Sequence, residues 1–389
     1  MITLAIAGKP NCGKSTFFRA ATLAHAEIAN YPFTTIDPNK GVAYVRTPCS
    51  CRKFGLNCGH CNDGVRFIPI NLIDVAGLVP DAHKGKGLGN QFLDNLRQAH
   101  AIIHIIDASG STDIEGNPVE PGSHDPHTDI DALIYEMSMW LYGILEKHWS
   151  KLLRQATSKT SNLIKLIAET LAGLGITEPD IIRAMNETGF DIHKSDDKSL
   201  ILLSCALFRN AKPMLTVGNK IDSMQKEKVL ILEKEGIHIA SAAAELALRN
   251  ADAAKIISYI PGNSEFAIIN PDSLNSAQKS GLAGISTLLK TYGSTGVQSA
   301  LNNIVFSLLD MIVVYPVEDE THLTDGKGRI LPDAFLMRKG SNPKEMAFQV
   351  HSDIGNGFLY AIDAHTKMRV KESHELSTGD VIRIVSTAK

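Results

Sequence analysis

Residues Gly8 to Ser15 read G-K-P-N-C-G-K-S, the G-x-x-x-x-G-K-[ST] spacing that wraps a polyphosphate in backbone amides. The loop follows the apolar run Ile2, Leu4, Ile6 and precedes the helix-compatible stretch Thr16 to Ala24. Successive N–H groups and a helix N-terminus therefore converge on one point. In that setting Lys14 reaches the β and γ phosphates and the Ser15 hydroxyl ligates Mg²⁺, while Gly8, Pro10, Asn11, Cys12, Gly13 and Thr16 complete the turn. A phosphate loop does not choose the base. Pro213 to Asp222 reads P-M-L-T-V-G-N-K-I-D, an apolar strand ending in Asn219, Lys220, Ile221 and Asp222. A carboxylate at Asp222 can accept from the ring N–H and the exocyclic amine of guanine, a donor pair that adenine lacks. Lys220 can lay its aliphatic stem along the base. Nineteen residues on, Ser241-Ala242-Ala243 follows the apolar run Ile237 to Ala240, placed to close the far side of a base pocket with backbone.

Between these anchors, Phe67 to Ile73 is a strand pattern ending at Asp74-Val75-Ala76-Gly77. In such a D-x-x-G the Asp contacts Mg²⁺ through water and the Gly N–H senses the γ-phosphate, which makes nucleotide state mechanical. Leu78 follows, where many regulatory GTPases carry a water-orienting Gln. Hydrolysis must then position its water by backbone, by a K⁺ ion or by a residue supplied from elsewhere. Behind it, Gly85, Gly87 and Gly89 alternate with other residues, a composition that suits a segment able to reorder.

Taken in order, these segments resemble the YchF-like branch of the Obg family of P-loop GTPases. The resemblance rests on G-K-P-N-C-G-K-S-T at Gly8, N-Y-P-F-T-T-I-D-P-N at Asn30, D-V-A-G-L-V at Asp74, K-G-L-G-N-Q-F-L at Lys86, N-K-I-D at Asn219 and S-A-A-A-E at Ser241. It implies that Thr35 is the switch I threonine on Mg²⁺ and that Lys14, Thr35 and Gly77 act on the transferred phosphoryl. It also implies that Asn11 helps hold a K⁺ ion and that Leu78 is the hydrophobic residue replacing the catalytic glutamine in this branch. Many bacterial and eukaryotic members have an altered guanine motif and prefer ATP. The motif from Asn219 to Asp222 is intact here, so the expected ligands are GTP and GDP. An ATP-hydrolysing stress or redox-response regulator is the alternative, and metal-dependent nucleic-acid binding without turnover is a third.

The fold that must position these residues is a doubly wound α/β nucleotide domain, with the ligand at the carboxyl ends of parallel strands. Gly77 and Asn219 lie 142 residues apart, far more than one strand-helix unit needs, so something is inserted. Ile130 to Ile144 and Leu152 to Leu174 show helical apolar spacing after the loop-like stretch Ser109 to Asp129. The expected organisation is a G domain over 1–115 and 206–262, a helical, coiled-coil-like insert over 116–205, a helical connector over 263–303, and a small α+β domain over 304–389. The last resembles the ubiquitin-like TGS domain, with strand patterns at Met311 to Val317, Phe358 to Ile362 and Val381 to Val385, and a helix opening at Ala347.

A chain of 389 residues with 44% hydrophobic and 21% charged residues has an ordinary soluble composition. Its apolar runs fall short of the ~18 residues that span a bilayer, so a cytoplasmic protein without a membrane partner is expected. Net charge is −3, which gives nucleic acid no general attraction. DNA is not an expected partner, and RNA contact must be local. Lys147, Lys151, Arg154, Lys159 and Lys165 occur with no acid between Glu146 and Glu169, either a solvated helix face or a stripe facing RNA. Residues 304–389 hold 10 basic and 12 acidic side chains, so composition does not make them an RNA binder. The resemblance does, and it implies a ribosome or tRNA contact through the insert and the TGS-like domain.

Cys49, Cys51, Cys58 and Cys61 give C-x-C-x₆-C-x₂-C, whose second pair, C-G-H-C, resembles a zinc knuckle. A reducing compartment disfavours disulfides, which leaves structural Zn²⁺ or free thiols. A metal there would pin a hairpin between switch I and Asp74. His60 is a competing ligand, and His83 stands where it can help position water.

Overall fold

The structure, a computed structural model, describes residues 1–22, 39–75, 77, 80–84, 96–156, 160–191 and 195–387. Thr35, Leu78, Lys159 and the Lys86 to Gly89 segment lie outside the described residues.

Six strands form the central sheet: β1 (Thr3–Ala7), β2 (Lys40–Pro48), β3 (Val65–Asp74), β4 (Ala101–Asp107), β5 (Met214–Asn219) and β6 (His238–Ile239), in the order β2-β3-β1-β4-β5-β6. All neighbours are parallel except the β2–β3 hairpin. Every residue of the A-I-I-H-I-I-D strand β4 is buried, as a central parallel strand covered on both faces requires. Pro69 on β3 sits opposite Tyr44 on β2, before the β1 pairing begins at Asn71. Its missing N–H thus falls where the strand has a single partner. The register sets Ile6 beside Asp74 and Asp107 beside Asn219, so the chemistry-bearing residues gather at the carboxyl edge.

Helices Pro126–Gln155, Thr160–Leu171, Glu178–Thr188 and Asp197–Ala211 fill the space between β4 and β5. Leu133, Met137, Leu141 and Leu145 recur every fourth residue, which lines one face of the long helix. They share a buried core with Leu163, Ile167, Ile181 and Leu203. Among the described residues the insert has four α-helices around one core, where a coiled-coil hairpin would carry only a two-helix seam, and its last helix runs past residue 205. No helix of the described residues is long and apolar enough to cross a membrane.

The connector returns the chain to the sheet through helices Ser276–Tyr292 and Val297–Asn302. Gly296 between them has φ 87°, and a Cβ there would lie 2.0 Å from the Ile239 carbonyl oxygen, so only glycine fits. The edge strand β2 is covered by side-chain amides. Asn302 Oδ1 accepts from the Arg46 N–H at 3.0 Å and its Nδ2 donates to the Arg46 carbonyl at 2.8 Å, while Gln298 Nε2 donates to the Tyr44 carbonyl. An Asn and a Gln one turn apart thus stand in for a seventh strand and block edge-to-edge pairing.

The C-terminal sheet comprises β7 (Met311–Val317), β8 (Phe335–Arg338), β9 (Phe358–Asp363), β10 (Met368–Val370) and β11 (Val381–Ser386), in the order β8-β7-β11-β9-β10. Helix Pro343–Val350 opens on the capping box of Asn342 and Glu345, four residues earlier than the apolar pattern at Ala347 suggests. This sheet is strapped to the nucleotide domain by the buried Arg66, whose Nη1 and Nη2 donate to the Leu331 and Pro332 carbonyls at 3.1 and 2.6 Å. Arg66→Ala strands both carbonyls and is expected to lower the guanidinium unfolding free energy by about 2–4 kcal/mol. A change below about 0.5 kcal/mol would mean that apolar packing alone holds the strap.

Candidate functional site

The loop between β1 and helix Lys14–Thr22 is shaped by three positive-φ residues, Gly8, Asn11 and Gly13. A Cβ on Gly8 would lie 2.2 Å from the Ile105 carbonyl oxygen, and one on Gly13 would lie 2.2 Å from Asn219 Nδ2, so both glycines are required by close approach of neighbouring strands. Lys14 is buried and its Nζ donates to the Lys9 carbonyl at 2.7 Å, an oxygen that Cys12 Sγ also approaches at 3.1 Å. Burial, only partly offset by Lys14, pushes the Cys12 thiol up, so it stays protonated and serves packing. Thr16 is half-buried in the first helical turn. Asn11 Nδ2 donates to the Gly116 carbonyl at 3.0 Å. Lys9 runs the other way, into a fully buried ion pair with Asp129 at 2.8 Å, which joins the loop to the first helix of the insert.

Asn219 ends β5 and sits inside the protein at 3% exposure. Its Nδ2 donates to the Cys12 carbonyl and its Oδ1 accepts from the Ala242 N–H, each at 3.0 Å. One amide therefore ties the phosphate loop to both base-side loops. Ser241 caps helix Ala242–Ala253, accepting from the Ala244 N–H, and its hydroxyl donates to Asp222 Oδ1 at 2.5 Å. That bond orients an otherwise exposed carboxylate beside exposed Ala243. Lys220 adopts the left-handed conformation at φ 70°, and its Nζ meets Asp107 Oδ2 at 3.0 Å. Burial opposes ionisation of Asp107, but bonds from Ser109, Lys220, Thr112 and Ser111 outweigh it and hold the carboxyl below its ordinary range. The ammonium is thereby anchored at the carboxyl ends of β4 and β5. Asp107 lies outside the motifs named from the sequence, although a carboxylate ending a buried strand before Ser109, Ser111 and Thr112 is a usable signal.

Across the loop, Ser15 Oγ donates to Asp74 Oδ2 at 3.0 Å. Asp74 Oδ1 is buried with no hydrogen-bond partner among the described residues, and burial pushes this carboxyl up against the opposing pull of Ser15 and Lys14. An orphaned carboxylate oxygen next to a serine hydroxyl fits a hydrated Mg²⁺. Gly77 passes the phosphate loop so closely that a Cβ would lie 3.1 Å from Pro10 N. Glu136 of the insert, also unforeseen, accepts from the Asp81 and His83 N–H groups and pairs with His83 Nδ1 at 2.7 Å. The His83 ring is thus committed to Glu136.

The four cysteines meet at the tip of the β2–β3 hairpin. Their Sγ atoms all lie within 4.8 Å of one another, with Cys49–Cys58 and Cys51–Cys61 each at 3.7 Å. A tetrahedron with Zn–S bonds of ~2.3 Å has edges of about 3.8 Å. The His60 backbone N–H donates to Cys58 Sγ at 3.4 Å; His60 enters the knuckle through its backbone, and its ring is not in the ligand cluster.

Residues 3–138 match the 50S ribosome-binding GTPase family, residues 217–319 the Obg-like GTPase YGR210-like G4 motif-containing domain, and residues 327–386 the TGS domain. The chain is 46% identical over the full length of both chains to an uncharacterised GTP-binding protein of Methanocaldococcus jannaschii. The chain belongs to the YchF-like, Obg-related family of P-loop GTP-binding proteins. A ribosome-binding ATPase YchF of Mycoplasma pneumoniae is 30% identical over 92% of this chain and 88% of its own. The crystal structure of a GTP-binding protein from Pyrococcus horikoshii matches with a TM-score of 0.76 at 38% identity, covering 99% of this chain and all of the other. The nucleotide domain and the TGS domain seen here are therefore those of the family.

Beneath the phosphate loop, His104 on β4 is buried, and its Nδ1 has no hydrogen-bond partner among the described residues. Burial first, and Lys14 second, push its pKa down from 6.5 to about 3, so it is neutral in the native state. The unfolded chain binds a proton here below pH 6.5 that the folded chain refuses until about pH 3. Stability is fully present above 6.5 and is lost as pH falls through that window, by up to ~3 kcal/mol at about pH 4. His104→Leu is expected to flatten the acid limb of the unfolding free energy over that range. Parallel acid limbs for both proteins would assign the slope to another group.

Proposed function

We propose that this chain binds GTP and GDP with Mg²⁺, hydrolyses GTP to GDP and phosphate, and works as a nucleotide-state switch of the translation apparatus. The observation that carries the guanine assignment is the Asp222 carboxylate, oriented by Ser241 in a loop set that Asn219 ties to Lys14's own loop. Asp222 accepts from the base, Lys220 covers one face of it, and the backbone of Ser241, Ala242 and Ala243 closes the far side. Amides from Gly8 to Thr16 hold the phosphates in line. Lys14 leaves the Lys9 carbonyl to meet the β and γ oxygens, and Gly77 closes toward the γ-phosphate over Pro10. Ser15, Thr35 and, through water, Asp74 would hold Mg²⁺, which supplies charge neutralisation on the transferred phosphoryl. Asn11, fixed by Gly116, offers its Oδ1 to K⁺, and the four cysteines hold a structural Zn²⁺.

The working division is a G domain over 1–115 and 206–262, a helical insert over 116–205, a connector over 263–303 and the TGS-like domain over 304–389. Release of switch contacts after hydrolysis passes to the insert through Glu136 and Asp129. Lys147, Lys151, Arg154 and Lys165 are exposed on the insert and form the stripe proposed to face ribosomal or transfer RNA in the cytoplasm. The Mycoplasma relative's name, a ribosome-binding ATPase, supports the partner and also supplies the competing nucleotide, which Asp222 opposes.

Titration of fluorescent GDP against fluorescent ADP with Mg²⁺ present is expected to favour GDP by at least about 100-fold, because the two-donor edge has no counterpart in adenine. Equal or tighter ADP binding overturns the guanine reading. Asp222→Asn replaces one acceptor by a donor and is expected to move preference toward xanthosine nucleotides, whose 2-oxo group accepts. Lys14→Ala is expected to abolish hydrolysis, and co-sedimentation with ribosomes that ignores nucleotide state would remove the switch.

A further inference from the structure

The cysteine knuckle stands at the far end of the strand pair that bounds the nucleotide site. The Asp74 N–H donates to the Asn39 carbonyl at the site end of the hairpin. The β2–β3 ladder then runs from Lys40 and Ile73 to Pro48 and Val65, roughly 25–30 Å at the usual rise per residue. The knuckle is therefore too distant to touch nucleotide, and what it touches is the C-terminal sheet. Ser50 Oγ donates to the Gly379 carbonyl at 2.8 Å. The Phe54 ring meets the His365 ring edge-on with centroids 5.7 Å apart. Cys49, Cys51 and Cys58 are buried in the same apolar cluster as Val313, Tyr315 and Val381 of that sheet.

These contacts come from a segment with little structure of its own. Between Cys49 and Cys61 there is one short 3₁₀ helix, Ser50–Phe54, followed by reversals at Gly55 and Gly59 with φ of 66° and 68°. All four cysteines are free thiols, and their sulfurs converge from both ends of the segment to tetrahedral edge spacing. A coordinated ion would cross-link the loop and convert its binding free energy into order of the residues that meet the neighbouring domain.

We propose that the knuckle is a metal-dependent latch: thiolate-bound Zn²⁺ holds Ser50, Phe54 and the buried cysteine face against the C-terminal sheet, and loss of the metal undocks that sheet from the nucleotide domain. The latch rests on the zinc reading given above but goes beyond it, because it assigns the ion a docking role. Since β2 and β3 also bound the Asp74 loop, the latch sets how firmly the C-terminal domain follows that hairpin.

The test uses the full-length protein. Elemental analysis is expected to find about one zinc per chain, as four thiolates to one ion require. Stripping with an organomercurial plus chelator should then speed amide exchange about ten-fold in Met311–Val317 and Val381–Ser386, with β1 and β4 unchanged. Fluorescent GDP binding should persist. Ser50→Ala should keep its zinc and still speed exchange around Gly379. Zinc-free protein, even after growth with added zinc, overturns both the metal reading and the latch. Bound zinc whose removal leaves exchange in the C-terminal sheet unchanged overturns the latch alone. Unchanged exchange at Gly379 in Ser50→Ala counts against docking through the knuckle.

Discussion

The side-chain amide of Asn219 is the constraint on which the site depends. A phosphate loop and a base-reading loop arrive from opposite ends of the nucleotide-domain sequence, 207 residues apart, and a nucleotide needs them at a fixed separation. Asn219 sets that separation with one donor to the Cys12 carbonyl and one acceptor from the Ala242 N–H. Both bonds are buried, so losing either leaves a desolvated backbone group without a partner. The glycine at position 13 is part of the same arrangement, since any side chain there would occupy the amide's position. The grip is thereby built into the protein's packing before phosphate enters it, which lowers the ordering cost of binding.

Around that bond, charged groups weld the helical insert to the loops. Lys9 pairs with Asp129 below 5% exposure on either side, and Glu136 takes three hydrogen-bond contacts from the Asp81 to His83 turn. Buried charges of this kind are costly unless paired, so each pair fixes one geometry between insert and site. The insert is thus in a position to feel movement of the loop after Asp74. At the other side of the sheet, Asn302 and Gln298 seal the β2 edge while the hairpin tip reaches the C-terminal sheet. The β2–β3 pair touches site, connector and C-terminal domain together.

Local chemistry was legible in the chain, and long-range pairing was not. The phosphate loop, the uniformly apolar strand at Ala101 to Asp107 and the four-residue apolar repeat of the long insert helix each carry their signal within one window. So do the four cysteines, whose side chains gather as their spacing suggests. Asp107 has a local signal in the hydroxyls that follow it, but its partner Lys220 lies 113 residues on, and the roles of Lys9 and Glu136 are likewise defined by partners far along the chain. The small strands Phe335–Arg338 and Met368–Val370 are too short for alternation to rise above the turns beside them. The start of helix Pro343–Val350 is written in the polar cap Asn342, not in the apolar residues that follow.

Calorimetry of pyrophosphate binding with Mg²⁺ present, comparing the native chain with Asn219→Ala, tests the central claim most directly. Pyrophosphate has no base, and the described partners of the Asn219 side chain are backbone groups of the two loops. If that amide sets the phosphate loop's shape, pyrophosphate affinity falls by about ten-fold, or about 1.4 kcal/mol. Undiminished pyrophosphate affinity in Asn219→Ala would contradict the account, because the loop would then hold its form without the tie.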